Sequence, residues 1–110
     1  MEVQAKMGIQ ENAGKIFYLM YQMYLKDESI NPQRLLEITK MDGKDIDRAI
    51  KYLKDKYLID IILTLGNHQG VQHFILKKIS HEGINIAEDD TEFIRNFKIN
   101  PKEIHWEGYC

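Results

Sequence analysis

The sequence predicts a mainly α-helical domain carrying one small β-hairpin, and three stretches support this. A long amphipathic segment comes first. Two short helical segments follow, joined by a Gly-containing turn in NPQRLLEITKMDGKDIDRAIKYLKDKYLID. Two β-rich runs then flank a turn containing Gly and Asn.

Residues 1–8 show no helical or strand pattern and are expected to fray. From residue 9 or 11 to residue 26, Ile9, Ala13, Ile16, Phe17, Met20 and Tyr24 recur at helical spacing, one apolar stripe for the core. Tyr18, Tyr21 and Leu25 form a second stripe on another side. Leaving such a side chain in water forgoes roughly 1.5–3 kcal/mol, so a covering surface is expected. The chain's own C-terminal segment could supply it, or a second subunit. Symmetric pairs are the commonest soluble oligomers, which favours a homodimer. The tyrosines and methionines of this helix could also line a ligand pocket, but packing is the simpler role, because Met fills irregular core gaps.

After a polar loop, Ile30 is expected to pair as a short strand. Asn31 is placed to cap a helix with Pro32 at its first position, where the missing N–H is not needed. Leu35, Leu36 and Ile38 of this helix face inward. At Met41-Asp42-Gly43 the chain turns, with Gly expected to supply a positive φ. Asp42 caps the next helix, over residues 42–57, and Asp45 complements its dipole. There Ile46, Ala49, Ile50, Leu53 and Tyr57 make a buried stripe. Lys44, Arg48, Lys51 and Tyr52 lie opposite, with Lys54 and Asp55 beside them.

Residues 60–65 and 71–79 read as the two strands of the hairpin, with the turn at 66–70. Ser80 caps the helix SHEGINIAED, which turns Ile84 and Ala87 to the core. Asp89-Asp90-Thr91-Glu92 resembles a fresh helix start, giving a helix over 91–97 or a kinked continuation of the one before, which Asn100-Pro101 breaks. In the tail KEIHWEGYC, Ile104, Trp106 and Tyr109 are too apolar for a linker and are expected to dock. Residues 9–89 thus form the domain. Residues 90–110 form a C-terminal helix and tail that packs on it or on a second subunit.

One hundred and ten residues suffice for one domain with a modest core, and 44% apolar with 29% charged residues is ordinary for a globular chain. No apolar run approaches the roughly 20 residues of a membrane span, and the first residues lack a signal-peptide core. An intracellular, cytoplasmic location without membrane association is expected. Cys110, the single cysteine, rules out an internal disulfide framework and is expected to be a reduced thiol.

The net charge of −2 does not advertise nucleic-acid binding, but its distribution is uneven. Over residues 31–80 nine basic residues face six acids, whereas over 81–110 three face seven. His68, His73, His81, His105 and Cys110 lack ligand spacing such as CxxC or HxxxH, so no metal is expected. Neither a phosphate-binding Gly-rich loop nor a nucleophile motif is present, so neither enzymatic activity nor a cofactor is expected.

With a helix, a two-helix motif, a hairpin and a trailing helix in this order, the chain resembles the winged helix-turn-helix family of DNA-binding proteins. RLLEITKMDGKDIDRAIKYLKDKYLI looks like the second and recognition helices of that family, and IILTLGNHQGVQHFIL looks like the wing. KKISHEGINIAED resembles the strand and the entry into the helix after the wing. One departure is Tyr57, where the family often has Gly at the turn into the wing.

The resemblance implies sequence-specific binding of double-stranded DNA by a transcription regulator, with residues 42–57 in the major groove. Lys44, Asp47, Arg48 and Lys51, together with Gly43, are the positions able to reach bases or phosphates. Arg48 has the fork that matches guanine O6 and N7. Lys44, Lys51 and Lys54 suit phosphates, as do the flanking Arg34 and Lys40. Asn67, His68 and Gln69 at the wing tip would meet the minor groove or backbone. A homodimer, joined through Tyr18, Tyr21, Leu25 and Trp106, would read half-sites about 34 Å apart. Some winged helices bind proteins instead, and the acidic total and the apolar tail suit that alternative, a protein-interaction module.

Overall fold

A computed structural model describes residues 8–109; the expectations for residues 1–7 and for Cys110 lie outside the described residues. Five α-helices and one antiparallel two-stranded sheet make up the described chain, a mixed α/β arrangement. In order these are α1 (Ile9–Leu25), α2 (Pro32–Thr39), α3 (Gly43–Asp55), β1 (Ile59–His68), β2 (Val71–Ile79), α4 (His81–Ala87) and α5 (Asp90–Phe97). A 3-10 turn follows at Pro101–Glu103. Among the described residues no helix is long and apolar enough to cross a membrane.

The core is built round α1. Ala13, Ile16, Phe17, Met20, Leu19 and Met23 are all completely buried. Ile9 and Tyr24, expected in the same stripe, are half-exposed or half-buried at its ends. The buried arc is wider than one stripe because both sides of α1 are covered, by α3 on one side and by α4 and α5 on the other. From α5, Phe93 and Phe97 reach Phe17, with ring centroids 6.4 and 5.6 Å away, and Phe93 meets Tyr18 edge-on at 5.6 Å. Full burial of each phenyl contributes roughly 1.5–3 kcal/mol. Residues 90–109 therefore complete the core.

The caps predicted at Asn31 and Ser80 form, and Asp89 caps α5, which starts one residue earlier than expected. Asn31 Oδ1 accepts from Arg34 N at 2.9 Å, Ser80 Oγ from Gly83 N at 3.0 Å, and Asp89 Oδ1 from Thr91 N at 3.0 Å. Asp42 holds the N-cap position of α3, but its side chain makes no capping bond.

Helix ends differ from expectation. Four helices stop on a non-glycine residue in the left-handed region: Asp27, Lys40, Tyr57 and Lys98, with φ of 57°, 55°, 61° and 61°. After α3, Tyr57 N–H bonds Lys54 O and Leu58 N–H bonds Leu53 O, the paired pattern of a Schellman ending. Leu53 and Leu58 are both buried beneath it. This turns Tyr57 outward, 80% exposed, and removes it from the buried stripe expected to include it. The left-handed residue between α2 and α3 is Lys40 and not Gly43, which lies inside α3.

The hairpin is longer than predicted at its tip. Strand β1 runs on to His68, leaving Gln69 and Gly70 as a two-residue turn, with φ of 53° and 101°. Positive φ at both central residues is the mark of a type I′ turn, whose twist matches that of the strands. Register slips between Asp60 and Ile61 and between Leu63 and Asn67 mark two irregularities. Ile59, Ile61, Phe74 and Ile79 face the core, while Ile62 and Ile75 do not. Ile30 does not become a strand; the described sheet has two strands only, and Ile30 lies half-buried beside Leu76 at a surface cleft.

Candidate nucleic-acid interface

Helix α3 is amphipathic by spacing alone. Ile46, Ala49, Ile50 and Leu53 are buried, which turns Lys44, Arg48 and Lys51 outward at i, i+4 and i+7. Lys44 and Arg48 are exposed and Lys51 is half-buried. Arg48 has one neighbouring acid, Asp45, at 3.6 Å, and its side chain is 60% exposed. Such a pair contributes about 0–1 kcal/mol and does not hold the guanidinium back from a stronger partner.

Asp47 is in a different situation. Its Oδ1 accepts from the backbone N–H of Gln72 at 3.0 Å, and its Oδ2 meets Lys51 Nζ at 2.9 Å. One carboxylate thus joins the middle of α3 to the start of β2. A second junction lies one turn earlier. A β-carbon built on Gly43 would stand 1.8 Å from Gln69 O, and one on Gly70 would stand 3.2 Å from the backbone of Gly43 and Lys44. The hairpin tip is seated directly on the first turn of α3.

The tip is also braced from within, since Asn67 Oδ1 accepts from Gly70 N–H at 2.8 Å. That use of Asn67 fixes the turn and leaves Gln69 as its exposed side chain. His68 is half-buried and points into grooves shared with α2, lined by Gln33, Leu36 and Glu37 and by Asn31, Pro32 and Phe74. Leu65, in the irregular part of β1, is 96% exposed, a feature that strand alternation did not foretell.

The remaining basic residues are distributed more widely. Lys40 is exposed at the turn between α2 and α3. Lys54 lies in the last turn of α3, eleven residues beyond Gly43, or about 16 Å along the axis. Arg34 is drawn elsewhere: its Nη2 bonds Glu28 Oε1 at 3.0 Å, and the same oxygen accepts from Tyr109 O–H at 3.3 Å. Arg34 therefore ties α2 to the α1–α2 loop and the tail. The structure brings together Lys44, Arg48, Lys51, Gln69 and Asn67, with Lys40 at one margin and Lys54 at the other. It assigns Asp47 and Arg34 to internal bonds.

The residues expected at a subunit interface are largely covered within the chain. Tyr21 is 8% exposed, and its hydroxyl donates to Glu88. Burial first, then the hydrogen bond and charge of Glu88, push its pKa up to about 12. Tyr18 is half-buried against Phe93 and shares a cleft with Pro101 and Trp106. Trp106 is half-buried, bridged to Tyr109, with Lys15 Nζ 5.9 Å from its ring centre. Of the four, Leu25 alone is largely exposed. Tyr18 and Tyr21 of the second stripe thus find their cover in α5, the end of α4 and the tail, whereas Leu25 does not.

Among the described residues no three His, Cys, Asp or Glu side chains gather as a metal-binding group. Comparisons with family models, with curated proteins and with solved structures return no match.

Proposed function

We propose that the protein binds double-stranded DNA sequence-specifically as a winged helix-turn-helix regulator of transcription, with α3 in the major groove and the β1–β2 hairpin as its wing. The observation that carries this reading is the seating of the hairpin tip on Gly43, backed by the Asp47–Gln72 bond. These contacts make the cationic strip of α3 and the tip one rigid surface, so docking orders few additional groups. In this arrangement Arg48 reads guanine through its fork, while Lys44 and Lys51 neutralise phosphates beside it. Lys40 and Lys54 reach phosphates at the two margins, and Gln69 meets the flanking minor groove or backbone.

The test is fluorescence anisotropy with random-sequence duplex at rising salt. Each phosphate neutralised contributes a log–log slope of about −0.9, so Lys40, Lys44, Lys51 and Lys54 together give about −3.6. Micromolar binding at low salt with that slope supports the reading. Absence of binding at low salt, or binding indifferent to salt, would refute it. A protein-interaction role is favoured by a separate observation, the exposed Ile62, Leu65 and Ile75 of the hairpin. Binding of that kind would survive the salt that removes DNA.

A further inference from the structure

The hairpin has one buried face and one open face. On the open face Ile62 and Ile75 are cross-strand partners, 48% and 57% exposed. Toward the open end of the hairpin Asp60 is paired in register with Lys78, and Lys77 is the extra residue where the register slips. Asp60, Lys77 and Lys78 are all exposed, and none of them forms an ion pair among the described residues. An acid on one strand, two bases on the other and an apolar pair beside them is an uncommon combination. A directly opposed acid and base would ordinarily serve each other.

We propose that this face packs against the same face of a second copy of the chain, about a twofold axis parallel to the strands. Rotation about that axis lays β1 over the partner's β2 at the same level. Ile62 then covers the partner's Ile75, and Asp60 meets the partner's Lys77 and Lys78, each contact occurring twice. An axis across the strands would instead lay β1 over β1, and with Ile62 at its centre Asp60 would meet the partner's Thr64. Charge complementarity selects the first axis.

The same axis leaves both hairpin tips, and both first turns of α3, at one end of the pair. That orientation lets two recognition surfaces address one duplex; this consequence rests on the DNA reading, whereas the interface itself does not. Two strands spaced about 4.8 Å apart, of ten and nine residues at about 3.3 Å each, present roughly 300 Å² in outline. A standard interface buries about 800 Å² per partner, so this dimer is weak alone and is tightened when DNA holds both tips.

Sedimentation equilibrium of the full chain from about 10 to about 500 µM tests the interface without DNA. The expected result is a monomer–dimer equilibrium that Ile75→Asp weakens at least about tenfold. Asp60→Lys, and the double change Lys77→Glu with Lys78→Glu, should each abolish self-association, and mixing the two proteins should restore a heterodimer. All of these side chains are exposed, and circular dichroism confirms that each variant is folded. A wild-type chain monomeric throughout the range would overturn the proposal, as would a dimer indifferent to Ile75→Asp or charge variants that fail to complement. The Ile75→Asp protein keeps the α3 strip and the tip, so its binding to random duplex tests the DNA reading separately.

Discussion

The carbonyl oxygen of Gln69 occupies the space that a side chain on Gly43 would need, 1.8 Å from the β-carbon position. Glycine at this point is a matter of close approach between two backbones. Gly43→Ala therefore pits two terms against each other. Helix propensity favours Ala by about 1 kcal/mol inside a helix, and by less in a first turn. Displacing a hairpin tip held by backbone costs about 1–3 kcal/mol. The second term wins, so Gly43→Ala should lower the urea midpoint and speed amide exchange at Gly70 and Gln72. An unchanged midpoint with unchanged exchange would show that the tip is not seated on α3.

Tyr57 stands at a φ of 61° with its ring in solvent. A residue with a β-carbon loses roughly 1–2 kcal/mol in that conformation. Glycine avoids the strain but loses about 0.5–1 kcal/mol of it to the greater freedom of the unfolded chain. Tyr57→Gly should thus stabilise the protein by up to about 1 kcal/mol, a rise in Tm of about 4–8 °C. Tyr57→Ala keeps a β-carbon and serves as the control. Equal behaviour of the two variants in a thermal melt would contradict the Schellman ending of α3.

These two positions also show what could and could not be read from the sequence. The starts of α2 and α4 were legible because a cap is a local event: Asn31 and Ser80 act on amides three residues away, although Asp42 at the start of α3 makes no such bond. Helix stops were not, since no glycine marks the left-handed residues Asp27, Lys40, Tyr57 and Lys98. The cationic strip of α3 followed from spacing. The use of Asp47 did not, because its partner Gln72 lies 25 residues away on a strand whose position depends on the whole fold. For the same reason the sequence left open whether the chain's own C-terminal segment or a second subunit covers Tyr18 and Tyr21, and favoured the latter. Phe93 of α5 and Glu88 at the end of α4 meet them instead. Long-range closure by α5 leaves no periodic trace in α1.

Burial of Tyr21 and its bond to Glu88 give a testable dependence on pH. Its pKa rises from about 10 in the unfolded chain to about 12 in the folded one. Below pH 10 both states hold the proton, and the stabilisation is fully present. Between about 10 and 12 the unfolded chain releases its proton first, so stability falls as pH rises. Denaturant midpoints measured from pH 9 to 11.5 should therefore decline, and Tyr21→Phe should flatten part of that decline. A decline of equal steepness in both proteins would exclude Tyr21 as its source.

Arg48 and Asp47 are neighbours on α3 with opposite assignments, and one pair of variants separates them. Arg48 is 60% exposed with a single acid at 3.6 Å, so Arg48→Ala should change stability by no more than about 0.5 kcal/mol. If its fork reads a guanine, the same change costs about 1–3 kcal/mol against the preferred duplex and relaxes the choice of base there. Asp47→Ala removes the acceptor of the Gln72 amide and the partner of Lys51, so about 1–2 kcal/mol of folding stability should be lost. Urea unfolding and anisotropy against both a selected and a random duplex give the two readouts. Equal weakening of the selected and the random duplex by Arg48→Ala would make that side chain a phosphate contact, and base reading would have to move to Lys44 or Gln69.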